Sequence, residues 1–117
     1  MARGASVTRR LCASAELADG GPGLRFEIPD KNGPQAAFAV RFRGQVYAYL
    51  NRCAHVGVEL DWQPGEFFDS GKLYLICATH GALYAPESGR CRAGPCKGGS
   101  LRPVPVEERA GAIYLVE

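Results

Sequence analysis

Glycine and proline constrain this chain more than any other feature. Fifteen glycines and eight prolines fall among 117 residues, and they gather at 20–23, 33–34, 64–65 and 94–99. The pieces between them leave no convincing helix of three turns, and short segments bounded by turn residues favour strands. Within those segments apolar side chains alternate: Leu24, Phe26 and Ile28; Phe38, Val40 and Phe42; then Val46, Tyr47, Tyr49 and Leu50. A period of two marks strands with one face buried. Arg43-Gly44-Gln45 separates two of these runs and contains a residue that tolerates positive φ, so 36–50 is predicted as a hairpin. A second hairpin is expected over 65–76, turning at 69–71 and leading into Cys77. Residues 101–106 and 112–116 are expected as the closing strands, joined by a turn at 109–111. No internal repeat of solenoid or propeller length is present. The expected fold is all-β, an antiparallel sandwich or barrel with loops projecting from one end.

Length fits one domain, 1–117, and leaves little room for a second unit that could bury its own core. A composition 46% hydrophobic and 22% charged belongs to globular chains and not to disordered ones. Net charge is only +2, and lysines and arginines form no run or aromatic-interleaved stripe, so nucleic acid is not an expected partner. No apolar stretch approaches the roughly 20 residues needed to cross a bilayer, so no membrane association is expected either. Arg3, Arg9 and Arg10 precede an apolar run too short and too polar for a secretory signal, which makes the cytoplasm the expected compartment. Five cysteines are many for a cytoplasmic chain this short. Where disulfides are disfavoured, such an excess points to metal binding or redox chemistry.

The chain has two histidines, and each lies a short step after a cysteine: Cys53-Ala54-His55 and Cys77-Ala78-Thr79-His80. At this cysteine content a chosen offset meets a cysteine by chance roughly one time in 25, so the double coincidence is disfavoured. Each pair offers one thiolate and one imidazole, and each runs into a glycine, Gly57 or Gly81. Two such loops can build one four-ligand site, and two Cys with two His is the ligand set of a Rieske [2Fe-2S] centre.

Cys53-Ala54-His55-Val56-Gly57 and Cys77-Ala78-Thr79-His80-Gly81 resemble the paired cluster-binding loops of Rieske proteins. The likeness continues through Gly81-Ala82-Leu83-Tyr84, Glu87-Ser88-Gly89-Arg90, Gly94-Pro95 and Leu101-Arg102-Pro103-Val104-Pro105-Val106, so it covers the chain from about residue 36 onward. It implies a Rieske-like fold in which a small cluster-binding subdomain, about 51–102, is inserted in a basal β-domain. It implies Cys53 and Cys77 on the inner iron, His55 and His80 on the outer iron, and Gly94-Pro95 as the loop covering the cluster. The implied role is electron carriage and not catalysis: a ferredoxin-like component passing single electrons from a reductase to an oxygenase or other oxidoreductase. The small subunit of a nitrite reductase-like complex is an alternative within the resemblance. A structural zinc module is the rival outside it, because Cys2His2 also satisfies tetrahedral zinc. A catalytic Cys-His pair is a third reading without a recognisable hydrolase context.

The chain departs from high-potential Rieske proteins at three positions. Val58 and Thr79 stand where those carry a disulfide bridging the ligand loops, and Ala82 stands where a serine donates toward cluster sulfur, while the aromatic partner is kept as Tyr84. A potential in the lower part of the Rieske range is therefore expected. Cys12 is expected as a small apolar core residue. Cys91 and Cys96 flank the covering loop, where a disulfide is conceivable but a reducing compartment favours thiols. Trp62, Phe67 and Phe68 are expected to pack within the chain and not to form a docking surface.

Overall fold

A computed structural model of the chain describes residues 7–29, 33–54, 58–61, 63–79, 81–96 and 98–116. Nine strands are assigned among them, β1 (Val7–Ala13), β2 (Leu24–Ile28), β3 (Gln35–Phe42), β4 (Gln45–Leu50), β5 (Leu75–Ile76), β6 (Leu83–Tyr84), β7 (Cys91–Ala93), β8 (Val106–Arg109) and β9 (Ala112–Val116). The helical content among the described residues is one 3-10 turn, Ser14–Glu16. No described helix is long and apolar enough to cross a membrane. All pairings between these strands are antiparallel and form three sheets, ordered β1-β9-β8, β2-β3-β4 and β5-β6-β7.

The middle sheet separates two cores, and the alternation in its sequence says which residue serves which. Phe38, Val40, Phe42, Tyr47 and Tyr49 face one cluster, together with Leu60, Phe67, Leu75, Cys77 and Tyr84. Ala37, Ala39, Val46, Ala48 and Leu50 face the other, together with Cys12, Ile113, Leu115 and the β2 residues Leu24, Phe26 and Ile28. Strand β3 is therefore covered on both sides, with alanines against the β1-β9-β8 sheet and large side chains toward β5-β6-β7. Small residues on one face let that sheet approach closely, and alternating size gives each layer its own packing. The rings of Phe38 and Phe67 stack 4.0 Å apart, an arrangement worth about 0.5–1.5 kcal/mol beyond the area they bury.

Phe67 and Phe68 are buried as expected, and Trp62 lies outside the described residues. Cys12 is buried in β1, and burial raises its thiol above the ordinary range.

The predicted 36–50 hairpin forms with β3 and β4 in register from Ala37 opposite Leu50 to Phe42 opposite Gln45. Its turn places both Arg43 (φ 51°) and Gly44 (φ 84°) in the left-handed region, which matches the strand twist. The Asp19 carboxylate caps this turn, accepting from the backbone N–H groups of Arg43 and Gly44. On the alanine face, Arg41 pairs with Glu108 at 2.7 Å and donates to the Leu17 carbonyl, tying the hairpin to the first sheet.

Two expectations are corrected in detail. The 65–76 segment does fold back on itself, through a Phe68–Leu75 bridge and an Ile76 N–H to Phe67 carbonyl bond, but only Leu75–Ile76 is strand. The positive φ of its turn falls on Lys72 and not on Gly71. Residues 101–105 are not strand, because Pro103 and Pro105 lack the N–H a ladder requires. This segment instead runs beside β4, with Arg102 accepting from Leu50 and Val104 donating to Ala48.

Candidate metal centre

Two loops of identical closure carry the cysteines singled out by the sequence. The Cys53 N–H donates to the Val58 carbonyl at 2.7 Å, and the Cys77 N–H donates to the Ala82 carbonyl at 2.9 Å. Each loop thus returns to its own cysteine after five residues. The Ala78 N–H donates to Leu60 just beyond the first loop, so one loop is hydrogen-bonded to the exit of the other. Cys53 is 2% exposed and Cys77 is fully buried, and both belong to the cluster that includes Tyr84 and Ala82. His55 and His80, with Val56 and Gly57, lie outside the described residues.

Tyr84 joins the loops from the sheet beneath them. It sits in β6 with its ring fully buried, and its hydroxyl lies 3.3 Å from Cys53 Sγ while accepting from the Ala54 N–H at 2.9 Å. Burial, reinforced by contact with Cys53, pushes this phenol above its ordinary range and keeps it protonated as a donor. Because the hydroxyl oxygen already accepts from Ala54, a deprotonated Cys53 would leave the O–H directed at sulfur. Ala82, beside these groups, is fully buried and contributes no side-chain donor.

The entry to the first loop is fixed by a polar network that sequence reasoning did not find. Asn51 and Asp61 are only 4% and 6% exposed. Asn51 Nδ2 donates to Asp61 at 2.9 Å, Asn51 Oδ1 accepts from the Leu60 N–H at 2.8 Å, and Asp61 accepts from Gly65 at 2.9 Å. Arg25, from β2, pairs with Asp61 at 3.2 Å and with Glu59 at 2.8 Å. The loop that leaves Asn51 and returns at Leu60 is thereby pinned to the middle sheet. The available signal was an Asn two residues before Cys53, which by itself does not identify a distant partner.

Gly94 and Gly99 approach the two loops. A Cβ on Gly94 would lie 3.0 Å from Ala82 Cα and from the Gly81 carbonyl, and φ at Gly94 is +89°, so backbone reaches the second loop only because no side chain intervenes. A Cβ on Gly99 would lie 3.1 Å from Ala54 Cβ beside the first. Cys91 and Cys96 form a disulfide, which corrects the expectation of thiols. The cause is local geometry: Leu83 pairs with Ala93 and Tyr84 with Cys91, so the register shifts across Arg92, and the Gly94-Pro95 turn brings Cys96 back to a Cα separation of 5.5 Å from Cys91.

Among the described residues no cluster of three or more metal-ligating side chains occurs. The buried sulfur donors, with a buried phenol directed at one of them, nevertheless fit the thiolate half of an iron–sulfur site.

Comparison with known proteins bears on the same segment. No curated protein matches the sequence. Among solved structures, the chain resembles the ferredoxin of carbazole 1,9a-dioxygenase from Nocardioides aromaticivorans IC177, at 24% identity over 94% of this chain and 97% of that one, with a TM-score of 0.70. It resembles the Sphingomonas yanoikuyae B1 ferredoxin at 23% identity over 96% and 99%, with a TM-score of 0.67. A chain of the complex of reduced oxygenase and oxidized ferredoxin in carbazole 1,9a-dioxygenase is similar at 20% identity over 92% and 90%, with a TM-score of 0.69. These likenesses establish the fold. The model of the Rieske [2Fe-2S] domain matches residues 8–107, which include both cysteine loops, Tyr84 and the Gly94 turn. The chain therefore belongs to the Rieske [2Fe-2S] domain family, whose cofactor is a single [2Fe-2S] cluster.

Proposed function

We propose that the chain is a one-electron carrier in which Cys53, His55, Cys77 and His80 hold the cluster, the cysteines on one iron and the histidines on the other. The observation that carries this reading is the matched closure of the two cysteine loops over one buried cluster of residues, with the Tyr84 hydroxyl at Cys53 sulfur. The cluster supplies one-electron redox chemistry when bound. The chain's own residues do the rest. Tyr84 offers a hydrogen bond to sulfur, Asn51 and Asp61 hold the first loop, and the Gly94 turn excludes water from the second. On this reading 51–102 acts as a cluster-binding subdomain carried by the two remaining sheets.

Ferredoxin neighbours solved in complex with an oxygenase support an oxygenase or other oxidoreductase as the acceptor, and on this reading a reductase donates the electron. The chain itself would not be a catalyst. We place it in the cytoplasm, where the Cys91–Cys96 bridge must persist against reducing thiols; Cys96 is 2% exposed, which hinders their approach.

The test is iron and sulfide analysis of anaerobically purified protein, with an absorption spectrum and paramagnetic resonance of the reduced state. Two irons, two sulfides and a red-brown colour are expected. One zinc with no labile sulfide would sink the proposal in favour of a structural metal module.

A further inference from the structure

We propose that the cleft beside Cys53, walled by Arg52 and Arg102, is a docking surface for an acidic face of the redox partner. The inference rests on the electron-carrier reading and adds the chemistry of the partner's surface.

Leu50, Cys53, Ala54, Gly99 and Ser100 form the rest of the cleft, which includes no acidic side chain. Its two arginines are held near each other by backbone, since the Leu50 N–H donates to the Arg102 carbonyl at 2.9 Å. Arg90 lies opposite Ser100 across an antiparallel bridge, so its side chain leaves the ribbon on the side of Ser100. All three arginines are exposed, and none forms an ion pair with another described residue.

Several of the chain's acids are engaged elsewhere. Glu108 is taken by Arg41, Glu59 and Asp61 by Arg25, and Glu107 faces Arg109. Asp19 and Asp69 accept backbone N–H groups at two turns. Arg52, Arg90 and Arg102 thus place three exposed cations, with no ion-pair partner among the described residues, beside one ligand loop. Uncompensated charge lining a concave surface focuses field toward solvent and steers an oppositely charged partner. Placed next to Cys53, it would orient that partner over the site through which an electron must pass.

The experiment uses holoprotein and two probe acceptors, acidic plastocyanin and basic cytochrome c. Binding to isotope-labelled, reduced plastocyanin is followed by NMR titration, and electron transfer to the oxidised forms by stopped flow. At low ionic strength wild type should bind plastocyanin more tightly than cytochrome c, and salt should weaken that binding. The double variant Arg52→Glu/Arg102→Glu should weaken plastocyanin binding by at least about tenfold and slow transfer in proportion. Arg52→Gln/Arg102→Gln should fall between, with an unchanged absorption spectrum showing that the fold is intact.

Arg109→Glu, at the β8–β9 end, removes the same charge per substitution and should change binding by less than about twofold. Equal weakening by Arg109→Glu, or tighter wild-type binding to cytochrome c, would overturn the proposal. A protein that carries no cluster would defeat the electron-carrier reading instead, and the binding titration would still report on the cleft.

Discussion

Replacing Tyr84 with phenylalanine isolates one atom whose effect can be worked out in advance. The hydroxyl lies 3.3 Å from Cys53 Sγ, and both residues are shielded from water. A hydrogen bond to a charged acceptor contributes about 1.5–3 kcal/mol in such surroundings. Both oxidation states of the cluster would enjoy it, so only the part that strengthens when the added electron raises the charge on sulfur affects the potential. If that part is about a third to a half, the difference is about 0.5–1.5 kcal/mol, and at 59 mV per tenfold change for one electron this is a drop of about 20–65 mV. Protein-film voltammetry of Tyr84→Phe should show it.

Tyr49→Phe provides the control. Its hydroxyl is also buried but donates to the Pro86 carbonyl at 2.6 Å, and burial likewise lifts its phenol above the ordinary range. Both variants should lose about 1–2 kcal/mol of stability, because each leaves a backbone group unpaired. Only Tyr84→Phe should move the potential. An upward shift, or equal shifts in the two variants, would refute the assignment of Tyr84 as a donor to ligand sulfur.

With no hydroxyl at position 82, the wild-type midpoint should lie below about +150 mV, and Ala82→Ser should raise it by tens of millivolts in the same voltammetry. Asn51→Ala leaves the Leu60 N–H and one Asp61 oxygen without their partners in a buried site. It should cost about 2–4 kcal/mol in chemical denaturation and speed cluster release. Arg41 holds the Glu108 carboxyl below the usual carboxylate range, so the fold favours its charged form. Its contribution is complete above about pH 5 and is lost as pH falls through the lowered value, so the deficit of Glu108→Gln in thermal melts should shrink in acid. The Cys91–Cys96 bridge closes a loop of sequence separation 5, and Cys91→Ser/Cys96→Ser should reduce stability by about 2 kcal/mol in a denaturant titration.

What could be read from sequence was what is encoded locally. The alternation in β2, β3 and β4 is legible because β3 and β4 turn each face to a different core and β2 turns one face to a core and the other to solvent, and the Arg43-Gly44 turn announces the hairpin by its φ requirement. The strands β5, β6 and β7 are two or three residues long, too short to display a period, and they are held by their register on one another. Residues 101–105 have a strand-like apolar pattern that two prolines deny a ladder. The disulfide runs against the expectation of thiols because compartment alone carries no geometry: a register shift at Arg92 and the Gly94 turn bring the two sulfurs together.

The same division runs through the candidate centre. Each cysteine and its histidine lie within one five-residue return closed by the cysteine's own backbone, so their spacing survives as a motif. The groups that hold and tune those loops come from far along the chain. Tyr84 reaches Cys53 across 31 residues, and Arg25 reaches Asp61 from another sheet. Spacing can therefore identify which cofactor chemistry a chain offers, whereas its potential and the charge its partner meets are set by side chains that only the folded sheets bring together.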